Sequence, residues 1–266
     1  MHDKDATSIP PESEQQLRAL REQLYQSQKL ADIGELAASI THEFNNILTT
    51  IINYARMGMR HKDAATRDKA FEKILSAAQR ASKLSTGMLA YARKQADRLE
   101  LRDLATLTED LLLLVEKDLQ RHRIRLETRI ESHPQAMVQP GRVQQVLMNL
   151  IVNARQAMQP GGILTVAVRT DHLGGWGEIV VQDTGCGIPA EKLRHIFDPF
   201  FTTKQPDEQG QGGTGLGLSL AKDVMEHHGG RIRVESTLGK GTIFILKFPL
   251  YQGETRAVKP ELQKVG

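Results

Sequence analysis

The chain opens with a long stretch of helical hydrophobic periodicity. Apolar residues recur three and four positions apart, as in a helix packed within a bundle or coiled coil: Leu30, Ile33, Ala37, Ile40, Phe44, Ile47, Ile51 and Tyr54. We predict that this helix reaches Arg60 and that residues 61–63 form a polar turn. His42 lies off the apolar seam, at the heptad position furthest from the packing partner, so its imidazole should be accessible to another domain.

A second helical pattern follows the turn. Its apolar positions are Phe71, Ile74, Ala78, Ala81, Leu84, Met88 and Tyr91. Two amphipathic helices joined by a short turn form an antiparallel hairpin, and one hairpin has too little facing surface to bury both seams. Pairing of two chains would bury them in a four-helix bundle, so we predict a homodimer in which residues 29–95 form the dimerisation domain.

Residues 1–28 do not continue this pattern smoothly. The first 13 residues are polar and contain two adjacent prolines, which is typical of disorder. A helical pattern then begins with Leu17, Leu20 and Leu24, one residue out of register with the later seam. This slip near residues 27–30 indicates either a chance irregularity of the pattern or a strained coiled-coil junction. We predict a disordered N-terminus and a short coiled-coil helix here.

Helices alternate with strands from residue 96 onward. The patterns predict helices over 104–119, 143–158 and 216–228, and strands over 124–130, 163–170, 178–183, 231–236 and 242–250. Because the helices cluster with hairpin-connected strands, we predict an α+β fold with helices on one face of a mixed sheet rather than a doubly wound parallel sheet. Residues 96–250 would form this second domain and residues 251–266 a polar tail.

The composition narrows the functional classes. Of 266 residues, 39% are apolar and 25% charged, and the net charge of +3 is too small to indicate a nucleic-acid-binding stripe. No segment approaches the roughly 18 apolar residues of a membrane span, and the first residues lack a signal-peptide pattern, so we expect a cytoplasmic chain without a span. One cysteine, Cys186, excludes an intrachain disulfide framework and a multi-cysteine metal site.

Four segments of the second domain carry candidate chemistry. Asn149 and Asn153 lie four positions apart on one helical face, and their amide oxygens suit Mg²⁺ that is shared with nucleotide phosphates. Asp183 ends a strand, where a carboxylate can accept a hydrogen bond from an exocyclic amine such as that of adenine. Gly185 and Gly187, which follow it, let backbone approach a flat ring.

The other two segments are a glycine-rich helix start and an aromatic cluster. Residues 213–218 open a helix whose free N–H groups attract phosphate. The Gln/Gly-rich stretch 205–212 before it is too polar for a core, which indicates a mobile lid over a nucleotide. Residues 197–204 read as an apolar plug beneath that lid, with Lys204 available for phosphate.

Together with the His42 segment, these motifs resemble the cytoplasmic core of a two-component sensor histidine kinase of the nitrogen-regulation-like and hybrid-kinase branch. The resemblance covers residues 28–250 and rests on five boxes in family order, at residues 42–46, 149–154, 183–188, 197–201 and 213–218. It implies a dimeric helical hairpin followed by an α/β sandwich ATP-binding domain of the GHKL (Bergerat) type. The implied partner is the receiver domain of a response regulator, and the implied cofactors are ATP and Mg²⁺.

The resemblance also assigns roles by position. His42 would be the phosphorylated residue, Glu43 its general base, and Asn46 the amide that orients water in a phosphatase reaction. Asn153 would ligate the metal with support from Asn149. The remaining nucleotide contacts would come from Asp183 with Thr242 at adenine, from Gly185 and Gly187, and from Lys204, Gly213, Thr214, Gly215, Leu216 and Gly217 at the phosphates.

Three positions depart from the family pattern. Ile47 stands where a proline often follows the histidine, Gln139 where an acidic residue often precedes the asparagine helix, and Gln156 where a lysine is frequent. Arg155 or Lys204 would then have to supply the missing cation. The other histidines, His227 and His228 among them, have no supporting neighbours in sequence and are assigned no function.

Two other functional classes remain open from the residues. The chain could be an ATP-driven clamp of the topoisomerase type, although this leaves the His42 hairpin unexplained. It could also be a non-catalytic dimeric scaffold that docks response regulators, although the intact nucleotide boxes argue against this reading. Labelling with γ-labelled ATP would separate these classes.

Overall fold

The first unit of the chain is a helical hairpin. The computed structural model describes residues 11–92, 98–203 and 215–252. Helix α1 spans Pro11–Arg60 and helix α2 spans Ala64–Ala92. The predicted end of the first helix and the polar turn are therefore confirmed. The register slip near residues 27–30 does not interrupt α1, which is continuous over its 50 residues.

The turn between the two helices is fixed locally. The backbone N–H of Thr66 donates to Asp63 Oδ1 at 2.8 Å. This bond satisfies one of the N–H groups that the first turn of a helix leaves without a partner. Helix α1 therefore ends and α2 begins within a few residues, and the two helices pack antiparallel.

Among the side chains that the structure describes, the hairpin buries part of each seam. Ile40, Ile47 and Leu84 are buried and belong to the main core cluster. Phe71, a member of the predicted α2 seam, is 59% exposed in the single chain. The reason is geometric, because one hairpin offers each helix a single neighbour.

The second unit is an α+β domain. Its elements are β1 (Glu100–Asp103), α3 (Leu104–Arg121), β2 (Arg125–Ile130), β3 (Gln135–Val138), α4 (Pro140–Ala157), β4 (Ile163–Asp171), β5 (Trp176–Asp183), α5 (Gly217–His227), β6 (Arg231–Thr237) and β7 (Gly241–Pro249). The predicted helices and strands are all present within a few residues. β1 and β3 were missed, since each is only four residues long.

The main sheet is mixed, as predicted. Its strand order is β2-β4-β5-β7-β6, with β2 parallel to β4 and the other pairs antiparallel. Helices α3, α4 and α5 supply the apolar residues that cover one face, and the core includes Leu147, Val166, Ile179 and Leu246. The antiparallel register of β5 with β7 brings the end of β5, at Asp183, beside the start of β7.

The small sheet positions the first helix of this domain. β1 pairs antiparallel with β3. Asp103, the last residue of β1, caps α3, because its Oδ1 accepts a hydrogen bond from the backbone N–H of Ala105 at 2.8 Å. This arrangement directs α3 along the hairpin, and the two units share one apolar core through Ile47 and Leu84.

Among the described residues, none of the helices combines the length and the apolar content that a membrane span requires.

Candidate nucleotide site and phospho-acceptor segment

The centre of the candidate nucleotide site is the carboxylate of Asp183. This side chain is buried, and its Oδ1 accepts hydrogen bonds from the backbone N–H groups of Gly185 at 2.7 Å and Thr242 at 3.2 Å. Oδ2 has no hydrogen-bond partner within the described ranges. Burial raises the pKa of Asp183, and the two backbone donors oppose that rise. One oxygen is thus anchored, while the other can accept a hydrogen bond from a ligand.

Glycine is required at two positions around this carboxylate. Gly187 has a φ of +70°, and a Cβ at this position would overlap the carbonyl oxygen of Thr237. A Cβ on Gly185 would lie 2.7 Å from the carbonyl oxygen of Ala157 and 2.8 Å from Asp183 Oδ1. Both glycines therefore let the loop after β5 fold tightly around Asp183.

Ser236 supports the same loop and was not singled out from the sequence. Its hydroxyl accepts a hydrogen bond from the backbone N–H of Ile188 at 2.8 Å and donates to the carbonyl oxygen of Gly241 at 2.9 Å. The Ser236 and Thr242 hydroxyl oxygens are 2.9 Å apart. Asp183 and Thr242 lie together because β5, which ends at Asp183, pairs with β7, which begins beside Thr242.

The two asparagines of α4 lie together, as their spacing predicts. Asn153 Nδ2 donates to Asn149 Oδ1 at 3.3 Å. Asn149 Nδ2 is buried and has no hydrogen-bond partner among the described residues. Gly217, the first residue of α5, lies directly against this amide, because a Cβ there would overlap Asn149 Oδ1. Only glycine lets α5 approach so closely.

The glycine-rich segment also packs against the aromatic cluster. Gly215 has a φ of +68°, and its Cβ would overlap the backbone of Phe200. Phe200 itself has a φ of +66° and is 72% exposed.

Leu216 is the N-cap residue of α5 and makes no side-chain cap hydrogen bond, so its side chain satisfies none of the first-turn N–H groups.

Part of the predicted site falls outside the described residues. Lys204, Gly213, Thr214 and the proposed lid at 205–212 belong to this part. Their predicted contacts with phosphate remain predictions.

Arg155 does not supply the missing cation. Its guanidinium is buried, and Nη1 lies 2.9 Å from Oδ2 of Asp118 on α3. The side chain therefore points toward α3 and is not among the residues that line the groove beside Asn149. Arg142, one heptad before Asn149 on α4, instead lines the groove between α4 and α5 together with Asn149 and Gly217. The spacing of seven residues, which puts Arg142 on the same helical face as Asn149, was the sequence signal that could have identified Arg142 as a residue of this groove.

His228 is a further residue whose role was missed in the sequence. It is buried, its Nε2 accepts a hydrogen bond from the backbone N–H of Gln139 at 2.8 Å, and its Nδ1 is 2.7 Å from the carbonyl oxygen of Val224. Burial lowers the pKa of His228. Because Gln139 is the N-cap residue of α4, this histidine joins the end of α5 to the start of the helix that carries both asparagines.

The phospho-acceptor candidate lies on the surface of the hairpin. His42 is exposed on α1, as the apolar seam predicts. Asn46, one helical turn later, is also exposed and lies on the same face. Both side chains are open to a docking partner.

Glu43, in contrast, is buried and paired. Its side chain is 6% exposed, and Oε1 lies 3.0 Å from Nε of Arg80 on α2. Oε2 lies 3.9 Å from Nζ of Lys117 on α3. The predicted base is thus held by cations from both units of the chain.

Both units match known domain families. Residues 32–97 match the His Kinase A (phospho-acceptor) domain. Residues 138–252 match the family of histidine kinase-, DNA gyrase B- and HSP90-like ATPases.

Several curated proteins are similar over most of the chain. The sensor kinase CckA of Brucella abortus is 36% identical over 260 residues, which cover 90% of this chain and 26% of CckA. The sensor histidine kinase ZraS of Escherichia coli is 34% identical over 233 residues, covering 87% of this chain and 48% of ZraS. The chain therefore spans between about a quarter and a half of the length of these relatives.

Solved structures agree on the fold. The nucleotide-free catalytic domain of the histidine kinase ThkA superposes with a TM-score of 0.51 at 28% identity, covering 57% of this chain and 97% of that domain. Full-length ShkA in complex with AMPPNP has a TM-score of 0.51 at 25% identity, covering 82% of this chain and 46% of ShkA. With a phospho-acceptor hairpin followed by an ATPase-type domain, the chain belongs to the two-component sensor histidine kinases of the GHKL superfamily.

Proposed function

We propose that this chain transfers the γ-phosphoryl group of ATP to His42 and then to an aspartate of a response regulator. One observation carries the proposal: a single chain combines an exposed histidine on a helical hairpin with a buried carboxylate in a glycine-lined pocket. The topoisomerase-type clamp leaves the exposed histidine without a role. The docking scaffold leaves the nucleotide pocket without one.

The adenine end of the site would be read by Asp183. Its Oδ2 would accept a hydrogen bond from the exocyclic amine, while Oδ1 remains bonded to Gly185 and Thr242. The buried surroundings strengthen such a bond, because water does not compete for the acceptor. Guanine carries a carbonyl oxygen at this position and would be rejected.

The phosphate end would lie between α4 and α5. The uncapped N-terminus of α5 presents its N–H groups and the positive end of its dipole to the phosphates. Asn153 fits a Mg²⁺ ligand, because its amide nitrogen bonds to Asn149 and its amide oxygen is a hard donor. When bound, Mg²⁺ would neutralise charge on the β- and γ-phosphates.

In the transfer step, Nε2 of His42 would attack the γ-phosphorus as the bond to the bridging oxygen of ADP breaks. The P–N bond forms, ADP leaves, and the other ring nitrogen gives its proton to Glu43. In the second step an aspartate oxygen of the regulator would attack the same phosphorus as the P–N bond breaks, and protonated Glu43 would return its proton to the ring, so that His42 leaves as neutral imidazole. Asn46, which is exposed one helical turn after His42, would orient a water against the resulting acyl phosphate and so give a regulator phosphatase.

Labelling with γ-³²P-ATP tests this function. We expect acid-labile, base-stable label on the wild-type chain and on His61→Gln, which changes another exposed histidine of the hairpin, but none on His42→Gln. Label on His42→Gln would overturn the assignment of the acceptor. ATP hydrolysis with no protein label in the wild type would favour the ATPase clamp.

We also propose that two copies pair through the exposed apolar stripe of the hairpin. Its members are Leu48, which is 53% exposed, Ile52 (48%), Met59 (87%), Phe71 (59%) and Leu75 (61%). A continuous apolar stripe on both helices is typical of an interface. Sedimentation equilibrium should show a dimer that Ile52→Asp dissociates and that Asn53→Asp, beside the stripe, leaves intact. A monomeric wild type would contradict this proposal.

A further inference from the structure

A buried ion pair lies behind the helix that carries both asparagines. Nη1 of Arg155, in the last turn of α4, is 2.9 Å from Oδ2 of Asp118 on α3, and the two side chains are 8% and 5% exposed. Residues 153 and 155 are two positions apart, which is about 200° around a helix. Arg155 therefore holds the same turn as Asn153, the proposed metal ligand, from the opposite side.

The end of α4 has little apolar side-chain volume with which to fix its own orientation. Of its last four residues, Ala154 and Ala157 are small and Gln156 is exposed. Apolar contact is non-directional, so two alanines restrict the rotation of a helix only weakly. A charge-assisted hydrogen bond depends on direction, and a guanidinium presents its donors in a rigid planar fork. The ion pair of Arg155 is thus the directional contact between this turn and α3.

The same turn also holds the loop at the adenine end of the site. The carbonyl oxygen of Ala157, the last residue of α4, accepts a hydrogen bond from the backbone N–H of Cys186 at 3.1 Å. It also lies against Gly185, where a Cβ would be only 2.7 Å away. Gly185 in turn donates its N–H to Oδ1 of Asp183. A rotation of the last turn of α4 would therefore move Asn153 and the loop around Asp183 together.

We propose that Arg155 and Asp118 are positioning residues that set the metal end of the nucleotide site relative to its adenine end. This inference rests on the proposed roles of Asn153 at Mg²⁺ and Asp183 at adenine. The ion pair fixes one turn of α4, and that turn carries a contact for each end of the nucleotide. A role in stability alone explains the pair less well, because a buried ion pair is often no more stabilising than apolar residues of similar volume.

Removal of both charges tests the inference without leaving a buried charge unpaired. Loss of one partner alone would be strongly destabilising, whereas replacement of the whole pair by apolar residues is often neutral or stabilising. Asp118→Leu/Arg155→Met should therefore fold with a melting temperature equal to or above that of the wild type. The contact of His122 Nδ1 with the backbone carbonyl oxygen of Asp118 uses neither of the changed side chains.

Hydrogen exchange of the nucleotide-free protein reports on the loop directly. The amide of Cys186 should exchange about tenfold faster in the double variant, because its bond to Ala157 depends on the placement of α4. The amide of Ile188, in the same loop, bonds instead to the hydroxyl of Ser236 at 2.8 Å and should keep its wild-type rate. Unchanged exchange at Cys186, or equal acceleration at both amides, would overturn the proposal.

Nucleotide binding tests the two ends separately. Titration calorimetry in EDTA should show weaker binding of ATP by the double variant, because the loop around Asp183 is displaced. The Mg²⁺ concentration for half-maximal labelling of His42 should rise about tenfold, because Asn153 is displaced as well. A loss at one end only would show that this turn does not set both ends, and wild-type values at both ends would overturn the proposal even in an active kinase.

Glu178→Leu/Lys247→Met is the matched control. Glu178 is 5% exposed and pairs with the ammonium of Lys247, which is 13% exposed, across the neighbouring strands β5 and β7. This pair lies toward the opposite end of β5 from Asp183. The control should keep the wild-type exchange rate at Cys186, the ATP affinity and the Mg²⁺ requirement. The same losses in the control would show a general loosening of the domain and would contradict the proposal.

A second variant decides the question if the double variant does not fold. Arg155→Lys keeps the buried charge but replaces the planar fork by one ammonium on a shorter stem, so exchange at Cys186 should rise about threefold. Wild-type exchange in this variant would refute the positioning role. Because exchange is measured without nucleotide, that result is distinct from a failure of the proposed function, which absence of label on the wild type would show.

Discussion

Asp183→Asn should separate nucleotide recognition from folding. The amide oxygen of asparagine can accept the same two backbone hydrogen bonds, from Gly185 and Thr242, that Asp183 Oδ1 accepts at 2.7 and 3.2 Å. The other oxygen, however, becomes an N–H₂ group. A donor would then face the exocyclic amine of adenine, which is also a donor.

The size of the loss follows from the type of bond. A hydrogen bond to a charged group contributes about 1.5–3 kcal/mol, so ATP affinity should fall by about 10- to 150-fold. GTP should lose less, because the new N–H₂ can donate to the carbonyl oxygen of guanine. Titration calorimetry with both nucleotides measures the two losses, and equal losses would show that Asp183 acts only on the structure of the loop.

The same substitution should leave the melting temperature of the nucleotide-free protein unchanged or raise it. Because burial raises the pKa of Asp183, the folded chain binds this proton more readily than the unfolded chain. The stability that the protonated group contributes at low pH is lost as pH rises through the folded pKa, and the ionised form is a cost at pH 7. Asn removes this cost, so the melting temperature without nucleotide should stay equal or rise. A clear drop at pH 7 would refute this reasoning.

Three further predictions concern the same domains. Gly217→Ala should lower ATP affinity about tenfold or more by displacing the amide of Asn149, whereas Gly34→Ala, whose Cβ meets nothing within 4 Å, should leave calorimetric affinity unchanged. Burial depresses the pKa of His228 below 6.5, so the unfolded chain gains this proton first as pH drops below 6.5 and the free energy of unfolding should fall. Denaturant titrations at several pH values measure this fall, and the same pH dependence in a His228→Gln variant would contradict the prediction. Asn46→Ala should keep autophosphorylation but slow decay of a purified phospho-regulator in the presence of ADP; unchanged decay would leave Asn46 a structural residue.

Most of the secondary structure could be read from the sequence because each long element has its own period. The hairpin helices, the three catalytic-domain helices and the five strands of the main sheet all have enough residues for the pattern to repeat. β1 and β3 have four residues each, too few for a period, and they exist because they pair with each other. Local patterns cannot show a pairing between distant segments.

The candidate site, too, was predicted from the sequence only where its residues are close together in the chain. Motif spacing predicted that Asn149 and Asn153 share a helical face, and they do. It could not show that Ser236 would reach Ile188 and Gly241, because that contact depends on the register of β6 with β7. The sequence also could not show that Arg155 would form an ion pair with Asp118 on α3 rather than supply a cation for phosphate.

The sequence by itself determined the order of the domains, the exposure of His42 and the residues of the glycine and asparagine motifs, because these follow from periodicity and spacing along one helix or loop. Only the tertiary structure decided that Glu43 is buried beside Arg80 and Lys117, and that His228 joins α5 to α4. Those contacts connect residues far apart in the chain, and a charge or an imidazole finds its partner only when packing brings the helices together.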